Sequence, residues 1–258
     1  MQGRVVVNGK TVHKLPVMVD PEKDDVEVDG ERIRLRDRRK AKPVYYLLHK
    51  PRGVYSTNVA QGEQLRAIDL LPPGTPRVYP VGQLDSEARG LLLLTNDGDL
   101  TNRLTHPRYG VAKTYRATVD GEIDQDAVAE ISKGMWLADK QGRGFKTGQS
   151  HIRIIKRMKE KSILEITIKE GRNRQIRRML AAVGHKVKDL TRVKIGPLTL
   201  EGLPSGAVRE LSPREIKDLQ RLSRGEERVV RPKGAKHAAG EGRDAKEGRG
   251  KDGDEGEE

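Results

Sequence analysis

The stretch Pro80-Val-Gly-Gln-Leu-Asp-Ser-Glu-Ala-Arg-Gly-Leu-Leu-Leu-Leu-Thr-Asn-Asp-Gly98 joins a polar loop to a run of four leucines. The run from Leu91 to Leu94 is short, continuously apolar and followed by a turn signal, which predicts a buried strand. Asp97-Gly98 then begins a helix, and His106-Pro107 ends it. The stretch therefore predicts a strand that enters a core, with a polar loop before it and a helix after it.

Asp85 lies in the loop that leads into this strand. A carboxylate at the mouth of an apolar strand is positioned by rigid structure and is partly desolvated, which suits a nucleophile or a general base. The same position suits a helix cap or a turn cap, which is the more common role of an isolated aspartate. The spacing alone leaves both interpretations open.

Further strands and helices are predicted outward from this stretch, and the strands outnumber the helices. This mixture indicates an α+β domain built on a largely antiparallel sheet. The predicted strands cover a hairpin over 4–12 and residues 26–28, 45–48, 114–119, 152–155 and 163–168. The predicted helices cover 124–131, 176–183 and a last helix that begins at the capping box Ser212-Pro-Arg-Glu215.

The chain is strongly basic, with 51 Lys and Arg against 38 Asp and Glu, a formal net charge of +13. Its last 28 residues contain seven basic and eight acidic residues and no Leu, Ile, Val or aromatic residue. Such a segment cannot bury enough apolar surface to offset its ordering entropy, so residues 229–258 are predicted to be a disordered tail. The excess positive charge belongs to the rest of the chain and indicates a polyanionic partner.

Several classes of protein are excluded or disfavoured. The absence of cysteine rules out disulfides, thiolate metal sites and a cysteine nucleophile, and no two of the six histidines stand at metal-ligand spacing. No apolar run approaches a membrane span, and no signal region or phosphate-binding glycine loop is present. We therefore expect a cytoplasmic protein that uses no metal and no nucleotide.

Two basic clusters each allow two interpretations. Arg172, Arg174, Arg177 and Arg178 surround the start of the predicted helix 176–183. They form either a solvated face or a phosphate-binding edge with one arginine turned onto a carboxylate. The run between Arg32 and Lys42 is either a solvated linker or a phosphate contact.

Four segments of the chain resemble the RNA pseudouridine synthases, and most closely the RsuA/RluB group, which modifies ribosomal RNA. The segments are Leu47-Leu-His-Lys-Pro-Arg-Gly53, the stretch from Pro80 to Gly98, Lys113-Thr-Tyr115, and Lys169-Glu-Gly-Arg-Asn-Arg-Gln-Ile-Arg-Arg-Met-Leu180. They occur in the family's order and spacing, and the resemblance runs from about residue 4 to residue 222.

The resemblance implies an isomerase that breaks the glycosidic bond of a uridine, rotates the base and rejoins it through carbon without a cofactor. It implies that Asp85 is the nucleophile, that Tyr115 stacks on the flipped base, and that Arg177 pairs with the aspartate and lowers its pKa. The substrate-binding residues that we expect in addition are Leu190, Gln83, Arg172, Arg174, Arg178 and Lys113.

The chain departs from the family pattern at two positions. Gln83 stands where the family usually has arginine, and Ala88 stands where it usually has threonine. The missing arginine is expected to weaken the charge that holds the flipped conformation or a phosphate, without removing the nucleophile.

Three segments are predicted. Residues 1–42 resemble the second half of a small alpha-L RNA-binding domain followed by a basic linker, so this domain is expected to be partial. Residues 43–228 form the catalytic domain, and 229–258 the tail. The expected function is pseudouridine synthesis in ribosomal RNA during ribosome biogenesis, in the large rather than the small subunit, by a cytoplasmic monomer. The alternative is a catalytically weak RNA-binding assembly factor on the same fold.

Overall fold

The computed structural model describes residues 3–13, 17–20, 22–33, 42–60, 62–138 and 142–226. The predicted tail and most of the basic run after Arg32 lie outside these ranges. The strands are β1 Val5–Val7, β2 Lys10–Thr11, β3 Val26–Val28, β4 Glu31–Ile33, β5 Tyr45–Lys50, β6 Tyr79–Pro80, β7 Arg89–Thr95, β8 Lys113–Asp120, β9 Trp136–Ala138, β10 Gly144–Lys146, β11 His151–Met158, β12 Lys161–Ile168, β13 Val187–Ile195, β14 Leu198–Thr199 and β15 Val208–Glu210. The helices are α1 Gly98–Thr105, α2 Gln125–Lys133, α3 Gln175–Ala182 and α4 Pro213–Ser223.

The main sheet runs in the order β11-β12-β8-β13-β7-β5-β15, with β14 beside β13 and β6 beside β7. β13 and β7 pair in parallel, and the other pairings described in this sheet are antiparallel. The predicted α+β class and the largely antiparallel sheet are therefore confirmed.

The leucine run is β7, and all four of its leucines are fully buried. Because side chains alternate along a strand, Leu92 and Leu94 enter one core and Leu91 and Leu93 enter another. The first core also takes the apolar faces of α2 and α3, and the second takes those of α1 and α4. This strand is buried on both faces, as the sequence predicts.

The helices α1, α2 and α4 begin where the sequence predicts, each after a residue whose side chain caps it. Asp97 accepts a hydrogen bond from the Leu100 amide at 2.9 Å, and Asp124 accepts one from the Ala127 amide at 2.7 Å. Ser212 forms the capping box of α4. None of the described helices is long and apolar enough to cross a bilayer.

A separate four-stranded sheet of order β2-β1-β3-β4 precedes the main sheet. Its two tight turns place Asn8 and Asp29 at positive φ, each followed by glycine, and the first of these turns closes the hairpin predicted over 4–12. Arg32 forms an ion pair with Asp25 at 2.5 Å. This pairing favours neither interpretation of the basic run, because most of that run lies outside the described ranges.

The sequence pattern does not predict three strands near the site, β9, β10 and β13. In β13 the register of pairing with β8 shifts between Val187 and Asp189 and again between Arg192 and Lys194. Each irregularity breaks the two-residue alternation of apolar and polar side chains on which strand prediction depends. β13 is therefore a central strand without the sequence pattern of one.

Candidate active site

A cavity of about 340 Å³ lies where the loop before β7 meets β8, β13 and the start of α3. Seven of the nine predicted site residues line it, although they come from segments far apart in the sequence. These residues are Gln83, Asp85, Lys113, Tyr115, Arg172, Arg174 and Leu190. Arg177 and Arg178 line a second cavity instead.

Asp85 is half-buried on the wall of the first cavity. Its two neighbours in the loop, Leu84 and Ser86, are hydrogen-bonded to the segment after β5. Ser56 Oγ donates to the Leu84 carbonyl at 3.0 Å, and the Gly53 amide donates to the Ser86 carbonyl at 2.8 Å. The backbone on both sides of the aspartate is thus fixed by contacts to a distant part of the chain. A carboxylate so held needs little reorganisation before it reacts.

Lys50 is a fully buried cation at the end of β5. Its Nζ donates to the Val54 carbonyl at 2.8 Å and to the Pro51 carbonyl at 2.9 Å. Burial lowers the pKa of Lys50 to about 8, the charge of Arg192 acts in the same direction, and the carboxylate of Asp85 opposes both. Lys50 therefore places positive charge near the carboxylate of Asp85. Lys50 is not among the predicted site residues.

Tyr115 and Leu190 supply an apolar wall of the cavity. Tyr115 is 8 % exposed and pairs across β8 and β13 with Arg192, so these two side chains share one face of the sheet. Leu190 is buried on β13 beside them. An apolar wall next to a half-buried carboxylate suits a planar ring whose reacting bond faces that carboxylate.

Arg192 is the main site residue that the sequence analysis missed. It is 2 % exposed, its Nε donates to the Leu91 carbonyl at 2.8 Å, its Nη1 lies 3.5 Å from the Gln83 carbonyl, and its Nη2 has no hydrogen-bond partner. A Cβ at Gly90 would lie 2.3 Å from the Arg192 carbonyl oxygen, so glycine is required for this approach. Arg192 thus contacts both ends of the loop that carries Asp85, and no local sequence signal indicates this role because β13 lacks the pattern of a strand.

Lys113 adds a second cation to the cavity wall at the start of β8. Burial, together with the smaller effect of the charge of Arg192, lowers the pKa of Lys113 to about 8. Among the described residues, no carboxylate forms an ion pair with Lys113 or Arg192. A buried arginine and a half-buried lysine without a carboxylate partner favour a bound anion or a carbonyl oxygen at this wall.

The loop before α3 carries Arg172 and Arg174 to the rim of the cavity. Gln175 holds the loop, since its Nε2 donates to Glu170 at 2.5 Å and its Oε1 accepts from the Arg172 amide at 3.1 Å. Arg174 adopts a φ of 50° and donates to Glu87 at 2.9 Å. An arginine is therefore turned onto a carboxylate, which is part of the interpretation of this cluster as a phosphate-binding edge. The carboxylate is that of Glu87 and not that of Asp85.

The predicted ion pair between Arg177 and Asp85 is not formed. The Nε of Arg177 lies 3.9 Å from Glu87 Oε2, Nη1 donates to the Val187 carbonyl at 3.1 Å, and Nε and Nη2 make no hydrogen bond. Burial lowers the pKa of Arg177, as does the charge of Arg174, while Glu87 and Asp85 raise it. Arg177 therefore acts on Asp85 only through the longer-range field, because Glu87 lies closer to its guanidinium.

Arg178, expected to bind substrate, does not reach the cavity of Asp85. Its Nη1 donates to the Ala138 carbonyl at 2.6 Å, and its guanidinium lies 5.0 Å from the centre of the Phe145 ring. It lines a second cavity of about 600 Å³ with Arg177. The reason is geometric: residues 177 and 178 lie on the side of α3 that faces β9 and β13.

Known proteins with similar sequences cover the segments that form this site. The sequence matches the family model for RNA pseudouridylate synthase over residues 44–182. It is 41 % identical over 226 residues to the ribosomal large subunit pseudouridine synthase B of Bacillus subtilis (strain 168), covering 86 % of this chain and 87 % of that protein. It is 42 % identical over 221 residues to an uncharacterized RNA pseudouridine synthase of Aquifex aeolicus (strain VF5), covering 85 % and 84 %. A crystal structure of a pseudouridylate synthase superposes with a TM-score of 0.64 at 29 % identity, covering 84 % of this chain and 89 % of that chain.

Proposed function

Because the chain belongs to the RNA pseudouridylate synthase family, we propose that it isomerises one uridine of large-subunit ribosomal RNA, with Asp85 as the nucleophile. The family predicted from the four motifs is confirmed, and with it an isomerase that acts on RNA. One observation carries the finer proposal: Asp85, Tyr115 and Leu190 meet in a single cavity although the sequence separates them widely.

The choice of ribosomal RNA is supported by the Bacillus subtilis relative, whose name assigns it to the large ribosomal subunit. The net charge of +13 suits a polyanionic substrate of this kind. The basic side chains at the rim of the cavity suit contact with phosphates next to the reacting uridine.

Pseudouridine is an isomer of uridine, so the reaction balances within the nucleotide. The carboxylate of Asp85 attacks C1′ of the ribose, and the N1–C1′ bond breaks with its electron pair leaving on the uracil. The uracil rotates, C5 bonds to C1′ and displaces the carboxylate, and the proton lost from C5 ends on N1. The half-buried position and rigid loop of Asp85 support the role of nucleophile.

The base reaches the cavity only if it leaves its stack in the RNA. Tyr115 then lies against one face of the uracil, which is the usual mode for an extruded RNA base. Lys113 and Arg192 provide positive charge for an anionic oxygen of the substrate, because no carboxylate within the described ranges pairs with them. Gln83 presents a neutral side chain at this rim, so contact with phosphate falls to Arg172 and Arg174.

The test is a single-nucleotide map of pseudouridine in ribosomal RNA from cells with and without this chain. We expect one large-subunit position to lose pseudouridine, to regain it with the wild-type chain, and to stay unmodified with Asp85→Asn. Glu201→Gln, which changes an exposed acid outside both cavities, is the matched control and should restore the modification.

Two results would contradict the proposal. Residual turnover by Asp85→Asn would remove the assignment of the nucleophile. An unchanged map would exclude ribosomal RNA as the substrate and favour an assembly factor without catalysis. Such a factor should bind pre-ribosomal particles, and Asp85→Asn should bind them as well as the wild-type chain does.

A further inference from the structure

Trp136, the one tryptophan of the chain, is 71 % exposed. It lies in β9 between Met135 and Leu137, which are both buried in the core. Because successive side chains of a strand point to opposite faces, burial of these two neighbours forces the indole into solvent. A tryptophan carries a large apolar surface, and leaving it exposed forgoes the stabilisation that burial would give.

The backbone around Trp136 is rigid. The Met135 amide donates to Thr147 Oγ1 at 2.9 Å, and the Thr147 amide donates to the Met135 carbonyl at 2.9 Å. A Cβ at Gly134 would lie 2.4 Å from the Thr147 carbonyl oxygen, so glycine permits the close approach that sets the direction of β9. The indole is therefore presented from a fixed strand, and little conformational freedom of the backbone is lost when it binds.

The hairpin of β9 and β10 is anchored to the rim of the Asp85 cavity. On its inner face, Phe145 lies 4.4 Å beneath the guanidinium of Arg172, which lines that cavity. At its edge, the Ala138 carbonyl accepts the hydrogen bond from Arg178. On its outer face, Trp136 is in register with the exposed Lys146, so both side chains leave the hairpin on the same face, and the indole lies over Gly144.

We propose that Trp136 and Lys146 bind one unpaired nucleotide of the RNA substrate outside the catalytic cavity. The indole stacks on the base, and the ammonium of Lys146 contacts a neighbouring phosphate. Exposed aromatic side chains on a strand that stack on bases beside basic groups are a common mode of RNA recognition. The site rests on the proposed function only in taking RNA as the substrate.

Charge complementarity favours RNA over a protein as the occupant. The outer face of the hairpin carries an aromatic ring and, in register with it, an exposed lysine. The chain as a whole carries +13. An apolar protein surface would match the indole but not this charge.

The single tryptophan allows a direct experiment on the full chain. Its emission is recorded while a twelve-nucleotide oligouridylate is added, and binding is followed in parallel by the anisotropy of a labelled copy of the same RNA. We expect the emission to be quenched along the binding curve, because a stacked base quenches indole fluorescence. Heparin, a polyanion without bases, should bind without quenching.

Variants separate stacking from charge. Trp136→Ala should weaken oligouridylate binding about tenfold, equal to about 1.4 kcal/mol and within the range for one base stack. The salt dependence of binding should be the same for Trp136→Ala as for the wild-type chain. Trp136→Phe should recover part of the affinity, and Lys146→Gln should reduce the salt slope by about 1. Val59→Ala removes a comparably exposed apolar side chain and should have no effect.

Three outcomes would overturn the site. Oligouridylate that binds without quenching, while the chain still forms pseudouridine, overturns this inference and leaves the proposed function intact. Emission that changes with protein concentration in the absence of RNA shows that a second copy covers Trp136. Absence of any RNA binding overturns both the site and the proposed substrate class.

Discussion

The cavity of Asp85 contains one carboxylate and two cations, Lys113 and Arg192, that have no carboxylate partner among the described residues. Arg192 is buried behind Gln83 and Leu91, and its charge acts on Lys113 beside it. A lysine whose ammonium is disfavoured by burial and by a neighbouring cation titrates close to neutral pH. The protonation state of Lys113 therefore changes within the range in which enzymes are assayed.

Activity should fall as the pH rises through about 8, because Lys113 loses the charge that binds the substrate. Arg192→Met removes the neighbouring charge, so the alkaline limb of kcat/KM against pH should move upward. In Lys113→Arg the cation does not titrate, and this limb should disappear. A limb near pH 8 that persists in Lys113→Arg would assign it to Lys50, whose pKa also lies at about 8, and would contradict the role of Lys113.

At the element scale, α4 depends on its first turn. Arg209 donates to both carboxylate oxygens of Glu215, at 2.7 and 2.9 Å, and Glu215 also accepts from the Ser212 amide and hydroxyl. These bonds, of which that from Arg209 is the strongest influence, lower the pKa of Glu215 to about 2. The helix in turn covers the second core through Leu219.

A carboxyl with a lowered pKa stabilises the fold above its unfolded pKa, about 4.3, and loses this contribution as pH falls toward its folded value. Glu215→Gln should therefore lower the free energy of unfolding by about 1 to 2 kcal/mol at pH 7, a figure that allows for the partial solvent exposure of Arg209. The difference from wild type should shrink between about pH 4.3 and pH 2. Urea unfolding at pH 7 and pH 3 measures it.

The control for α4 is Glu210→Gln, which neutralises an exposed carboxylate at the end of β15. It should leave both unfolding curves near those of wild type. An equal loss for the two variants, or a difference for Glu215→Gln that is independent of pH, would show that the capping box does not couple α4 to pH.

At the scale of the whole molecule, a second basic cavity lies beside the first and shares Arg174 with it. Its acidic residues, Glu87 and Asp120, already form ion pairs with Arg174 and Lys188. The remaining basic side chains give this cavity a surplus of positive charge. Such a surface beside the catalytic cavity suits the RNA backbone that flanks the target uridine.

Replacing Arg52 and Lys186 of this cavity by glutamine should weaken binding of substrate RNA and reduce the salt slope by about 2. The value of kcat at saturating RNA should be unchanged, since neither side chain lines the cavity of Asp85. Filter binding across a salt series measures the slope. The pair Lys159→Gln and Lys161→Gln removes equal charge outside both cavities, and an equal change in slope there would show that only net charge matters.

The elements whose signals are local follow directly from the amino-acid sequence. The leucine run of β7, the capping residues Asp97, Asp124 and Ser212, and the turns at Asn8 and Asp29 each act within a few residues, so their outcome follows from short patterns. Six of the seven predicted residues that line the cavity lie in the family motifs, whose order and spacing record a fold shared with relatives. The predicted tail lies outside the described residues.

Which charged side chains meet depends instead on how distant segments of the chain are brought together. Arg177 lies nearer Glu87 than Asp85, Arg178 anchors a hairpin, and Arg192 reaches both ends of the catalytic loop through contacts about 100 residues apart in sequence. An arginine has a long side chain and several acceptors within reach, and its partner depends on strand register and helix orientation. The bulges of β13 set that register, and no local periodicity encodes them.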